Sequence, residues 1–106
     1  MHCAEWPATI EGISRVAAAL TQTLKETPSS VKILLENTAG SGQGLGDRFE
    51  HLAAMRAGVS QRERVGCCLD TAHVFAAGFP IHTAEGLEQT LETCDQLIGL
   101  DHVRVI

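Results

Sequence analysis

Apolar residues in the first part of the chain recur at helical spacing: Ile10, Ile13, Val16, Ala17, Leu20 and Leu24 fall three or four apart. That interval lines one face of an α-helix. Thr9 suits the cap of its first turn, and Pro28 closes the segment. The pattern then changes. Val31 to Glu36 is a near-continuous apolar run between turn residues, which predicts a strand covered on both faces, as in a parallel sheet.

A glycine-rich stretch from Asn37 to Gly46 leads into Asp47-Arg48-Phe49-Glu50, which has the Asp-to-Glu spacing of a capping box. Phe49, Leu52 and Ala53 give a second helix its inner face, and Gly58 is placed to end it. Arg64 to Asp70 reads as a second buried strand. After a loop, Leu87, Leu91, Cys94 and Ile98 mark a third helix that Gly99 can end, and His102 to Ile106 begins a third strand.

The order α-β-α-β-α-β predicts an α/β protein with parallel strands joined by right-handed helical crossovers. A doubly wound open sheet and part of a (β/α)8 barrel both satisfy it. A closed barrel takes about 250 residues, and this chain has 106. Residues 1–106 are therefore expected to form an incomplete barrel domain, an internal piece of a longer protein that stops on an apolar strand.

With 44% hydrophobic and 20% charged residues, the chain has the makings of a packed core. Its formal net charge of −5 excludes a generally basic nucleic-acid binder, so any contact with DNA must be local. No uncharged apolar run approaches the roughly 20 residues that span a bilayer. Met1 to Gly12 lacks the basic-then-apolar order of a secretory signal. Cys3, Cys67, Cys68 and Cys94 form no CxxC pair, and Cys67 and Cys68 point to opposite faces of one strand. They read as buried, reduced thiols of a cytoplasmic protein.

Candidate chemistry gathers at the strand ends. Glu36 closes the first strand and Asp70 the second, on the rim where parallel α/β proteins collect functional groups. A carboxylate ending an apolar strand loses solvation unless it is paired, hydrogen-bonded or metal-bound. His73 follows Asp70 by three residues. Together Glu36, Asp70 and His73 are a donor set for zinc, manganese or iron. Spacing equally allows Asp70 to cap the next turn and His73 to be an ordinary hydrogen-bonded residue.

The loop Gly40-Ser41-Gly42-Gln43-Gly44-Leu45-Gly46 lacks the Gly-Lys-Ser/Thr of a P-loop and fails the dinucleotide fingerprint. Its glycines serve either tight turns and close packing or backbone contact with a phosphate. His2, His51, His82 and His102 read as surface or packing residues. No Ser-His-Asp spacing supports covalent catalysis.

Three stretches carry a resemblance: Leu35-Glu-Asn-Thr-Ala-Gly40, Leu45-Gly-Asp-Arg-Phe-Glu-His-Leu-Ala-Ala54 and Arg64-Val-Gly-Cys-Cys-Leu-Asp-Thr-Ala-His-Val-Phe-Ala-Ala-Gly78. In order and spacing they are similar to the endonuclease IV family of DNA-repair enzymes, most specifically over residues 31–80. The resemblance implies a (β/α)8 barrel with up to three zinc ions, manganese being the alternative, on its C-terminal rim. It implies that Glu36 is the catalytic, metal-bridging carboxylate, that Asp70 binds one of that pair, and that His73 binds the third ion. Further ligands would precede Met1 and follow Ile106. The implied partner is double-stranded DNA with an abasic site, cleaved on its 5′ side to leave a 3′-hydroxyl. The chain departs from the family at Ala72, where cysteine is common, at Phe79-Pro80, where tyrosine-aspartate is common, and around Ser41 and Gln43. A metal-dependent sugar isomerase or epimerase on a related barrel is the alternative enzyme. A non-catalytic α/β domain, such as a partial-barrel oligomer, is the alternative outside enzymes.

Overall fold

The computed structural model describes residues 6–40 and 45–106. Helix α1 (Trp6–Glu26) precedes β1 (Ile33–Glu36), α2 (Phe49–Ala57), β2 (Val65–Cys68), α3 (Thr71–Ala76), α4 (Ala84–Leu97) and β3 (Val103–Val105). Single 3₁₀ turns at Arg62–Arg64 and Leu100–His102 lead into β2 and β3. The strands form one sheet in the order β1-β2-β3, parallel throughout. The expected alternation and strand direction are both present. One element is additional: where a loop was expected after Asp70, α3 starts at once.

The helices lie on the sheet face that carries Ile33, Leu35, Val65, Cys67 and Val103. Ile13, Leu52, Met55 and Cys67 form one buried cluster with Leu35 and Val103 packed against it. Ala17, Leu24, Val59 and Val65 form a second, and Phe49, Leu69 and Cys94 a third. Full burial of side chains such as Leu24, Phe49 and Leu52 stabilises by roughly 1.5–3 kcal/mol each.

Several local expectations are corrected by this packing. Thr9 does not cap α1, because the helix already begins at Trp6. Pro7 fits that first turn, where its missing N–H would have no partner anyway. Ile10 is not buried but 46% exposed. At that level α1 is approached through Gly12, which is crowded by Leu45. The capping box is absent: Arg48 occupies the N-cap of α2 without a side-chain hydrogen bond. Asp47 instead turns its carboxylate towards His51, 3.4 Å from Nδ1.

Gly58 does end α2, but in a right-handed conformation at φ −83. What requires glycine there is proximity, since an added Cβ would stand 2.8 Å from the Ala17 methyl. On α4 the inner face is Gly86, Thr90 and Cys94, and Leu87 is left 42% exposed. Leu87 borders an apolar hollow between α3, α4 and the end of β3, lined also by Leu69, Val74, Leu91 and Ile106.

Strand β1 is covered on one face only. Its burial alternates, with Leu34 41% exposed and Glu36 exposed, because no described helix reaches the other side. In central β2, Val65, Gly66 and Cys67 are all buried. Leu34 and Arg104 close over Gly66 from the face opposite the helices. Among the described residues no helix is long and apolar enough to cross a membrane.

The N-terminal ends of the strands are fastened by Arg64, which is 8% exposed. Its guanidinium donates to the carbonyls of Leu24, Pro28 and Val31 and to the side-chain oxygens of Gln61 and Thr27. Arg56 adds a bond to the Val65 carbonyl at 2.7 Å.

Candidate metal centre

The opposite rim holds the candidate chemistry. Glu36 is the last residue of β1 and stands in register with Cys68 on β2. One buried residue later, the chain leaves β2 through Asp70. Asp70 has an extended backbone and serves as the N-cap of α3, its Oδ1 accepting the His73 N–H at 3.0 Å. A carboxylate here satisfies a helix amide that has no partner within the helix. His73 therefore sits in the first turn of α3, and its ring folds back towards the strand ends.

The sequence left two readings open for this pair, and they prove compatible. Asp70 caps the helix with one oxygen, while its Oδ2 lies 3.5 Å from His73 Nδ1. One ligand atom from each of Glu36, Asp70 and His73 falls within 4.8 Å of the others. All three residues singled out from the sequence are thus drawn to one place. Glu36 is exposed, Asp70 and His73 half-buried.

Two carboxylates and an imidazole are the borderline-hard donor set that suits zinc or manganese. Ligands about 2.1 Å from a tetrahedral ion stand about 3.4 Å apart, and this set lies within 4.8 Å before any ion draws it together. By that measure the residues fit a divalent cation.

Two further residues at this rim escaped the sequence reading. Asn37, next after Glu36, is 4% exposed. Its Nδ2 donates to the Asp70 carbonyl at 3.1 Å, and its Oδ1 accepts the Asp70 N–H at 2.6 Å. Its own carbonyl lies 2.9 Å from His73 Nδ1. The only signal in the sequence was a polar residue immediately after a strand-ending carboxylate. Cys68 is the second. It is half-exposed rather than buried, with its Sγ 3.7 Å from Glu36 Oε1. Desolvation, then the charges of Glu36 and Asp70, push this thiol above its ordinary value, so it stays neutral beside the carboxylates. Cys67 and Cys94 are free and buried as expected.

His51 is buried at 4% exposure and takes the Gly46 N–H on Nδ1 at 3.1 Å, which makes it a packing residue as expected. Thr38 ties the base of the glycine loop by bonds to Gly46 and Leu45. Residues 41–44, with Ser41 and Gln43, and likewise His2 and Cys3, lie outside the described residues. Phe79 packs on Phe49 with ring centroids 5.0 Å apart.

Comparison with known proteins bears on this rim. A family described as xylose isomerase-like TIM barrel matches residues 2–106. A protein named probable endonuclease 4 from Chloroflexus aurantiacus is 46% identical over 94 residues, 88% of this chain and 33% of its own length. One of the same name from Geobacter sp. strain M21 is 45% identical over 91 residues, 85% of this chain and 32% of its own. Among solved structures, endonuclease IV from Thermus thermophilus superimposes with a TM-score of 0.74 at 35% identity. That match covers 88% of this chain and 34% of the other. The chain spans about one third of the length of the curated relatives it matches.

Proposed function

Because this chain belongs to the xylose isomerase-like TIM barrel family, we propose that it carries part of the metal site of an endonuclease acting on abasic DNA. The reaction proposed is hydrolysis of the phosphodiester 5′ to an abasic site in duplex DNA, with zinc as the metal and manganese as a substitute. One observation carries this reading: Glu36, Asp70 and His73 converge within 4.8 Å at the C-terminal rim of parallel strands. Identity of 45–46% to proteins named probable endonuclease 4 favours the nuclease over an isomerase or epimerase of related barrel architecture, and over a fold without chemistry.

In this reading Glu36, Asp70 and His73 would be metal ligands, Glu36 and Asp70 serving one pair of ions and His73 a third. Metal in such a site supplies a bound water of lowered pKa and charge for the leaving oxygen. The protein's own contribution is placement. Asp70 is fixed by the cap it makes, His73 by the first turn of α3, and Glu36 by its register with Cys68. Three ligands supply only part of a three-ion centre. The 106-residue chain is accordingly expected to bind zinc and to cleave abasic DNA weakly or not at all. The free cysteines fit a reducing compartment, and the cytoplasm is the one proposed.

Calorimetric titration of the metal-free protein with zinc tests the reading. Wild type should bind, and Glu36→Ala and His73→Ala should each weaken binding at least tenfold. Binding that is absent, or untouched by both substitutions, would refute it.

A further inference from the structure

We infer that Asn37 is the positioning residue of this rim, fixing which nitrogen of His73 is presented to a metal ion and where Asp70 stands. The inference rests on the metal reading above but concerns a residue that reading does not use.

His73 Nδ1 has two close neighbours. The nearer is the Asn37 carbonyl oxygen at 2.9 Å, and the next is Asp70 Oδ2 at 3.5 Å. Both can only accept. Nδ1 must therefore carry the proton, which leaves the lone pair of the neutral ring on Nε2. A ring with both nitrogens uncommitted could bind an ion through either; this one offers Nε2 alone. Histidine ligands are commonly set in this way, by what the second nitrogen is bonded to.

The Asn37 carbonyl can hold that ring only if its own peptide is held. The side chain does this. Oδ1 takes the Asp70 N–H and Nδ2 gives to the Asp70 carbonyl. One amide thereby bonds both backbone groups of a residue 33 positions away, tying the chain after β1 to the chain after β2 beyond the last strand pair, Glu36 and Cys68. The orientation of the amide is forced, since an N–H can meet only Oδ1 and a carbonyl only Nδ2. At 4% exposure these bonds have little competition from water. Glu36 precedes Asn37 in the chain, Asp70 is gripped by its side chain, and His73 rests on its carbonyl. All three candidate ligands are indexed to one residue.

Nitrogen-15 NMR of the histidine rings in the metal-free protein, at a pH where His73 is neutral, reads the tautomer directly and needs no variant. The expected result is a single Nδ1–H form for His73. In Asn37→Ala the ring should relax to a mixture of tautomers, and zinc affinity measured with the metal alone should fall about 10- to 100-fold. Asn37→Ser replaces it where the alanine variant does not fold. A wild-type ring protonated on Nε2 overturns the inference even if zinc binds. So does a variant whose tautomer is unchanged and whose zinc affinity stays within about twofold. Wild type with the expected tautomer but no zinc uptake instead overturns the metal reading, and with it any positioning role for Asn37.

Discussion

Asp70 meets His73 twice: Oδ1 accepts its backbone N–H at 3.0 Å, and Oδ2 lies 3.5 Å from its ring Nδ1. One carboxylate thus starts the helix and faces the candidate site, and the two duties can be separated. Asparagine caps helices about as well as aspartate but brings no charge to a cation. Asp70→Asn should therefore lose less than about 0.5 kcal/mol of stability while zinc affinity falls tenfold or more. Asp70→Ala should lose both, with about 1 kcal/mol from the missing cap. Urea unfolding beside zinc titration of the two variants checks this. Equal stability loss in both would mean that the charge, not the cap, is what the fold uses.

Burial pushes the Cys94 thiol from 9.0 up to about 11, and the neighbouring Cys67 and Asp95 act in the same direction. The unfolded chain then releases this proton first as pH rises, so the thiol costs nothing below pH 9 and destabilises the fold above it. Between pH 9 and 11 the loss should approach about 1.4 kcal/mol per pH unit. Urea midpoints at pH 8, 9 and 10 should fall for wild type and fall distinctly less for Cys94→Ala. Parallel curves for the two proteins would show that this thiol is not the source.

Gly86 lies on the buried face of α4, and a Cβ there would stand 1.9 Å from the Pro80 carbonyl oxygen. Backbone cannot yield as a flexible side chain can. Gly86→Ala should destabilise by about 1–3 kcal/mol or more, despite alanine's better helix propensity. A melting temperature equal to or above wild type would contradict the contact.

Much of this arrangement could be read before any coordinates. The spacing of Ile13, Ala17 and Leu24 marked the buried face of α1, and the strand-ending positions of Glu36 and Asp70 located the rim. What escaped depends on partners distant in sequence. Asn37 acquires its role from backbone groups 33 residues on, which no local pattern encodes. Asp47 looked like a capping residue, but its carboxylate stands beside His51, one turn later, 3.4 Å from Nδ1. An apolar run such as Ile33 to Leu35 reads alike whether one face or both are covered, so the exposure of Leu34 was invisible. Leu87 fitted a helical face that the packing of α4 rotated away.

Arg64 donates to three carbonyls and two neutral side-chain oxygens. Its truncation strands the buried Leu24 carbonyl and removes the donor from four part-buried acceptors. Arg64→Ala should cost about 3–4 kcal/mol by urea unfolding, and Arg64→Lys should recover only part of that, since an ammonium cannot reproduce the fork. Recovery to wild-type stability with lysine would show that charge alone suffices.

The chemistry of that anchor has a wider meaning. Guanidinium does not deprotonate in proteins, and none of the oxygens it holds gains or loses a proton. Acidification therefore neutralises no partner within this set of bonds, and ions in solution screen buried contacts poorly. The two rims of the sheet thus rest on different chemistry: two carboxylates and an imidazole gathered at one, a guanidinium held by uncharged oxygens at the other.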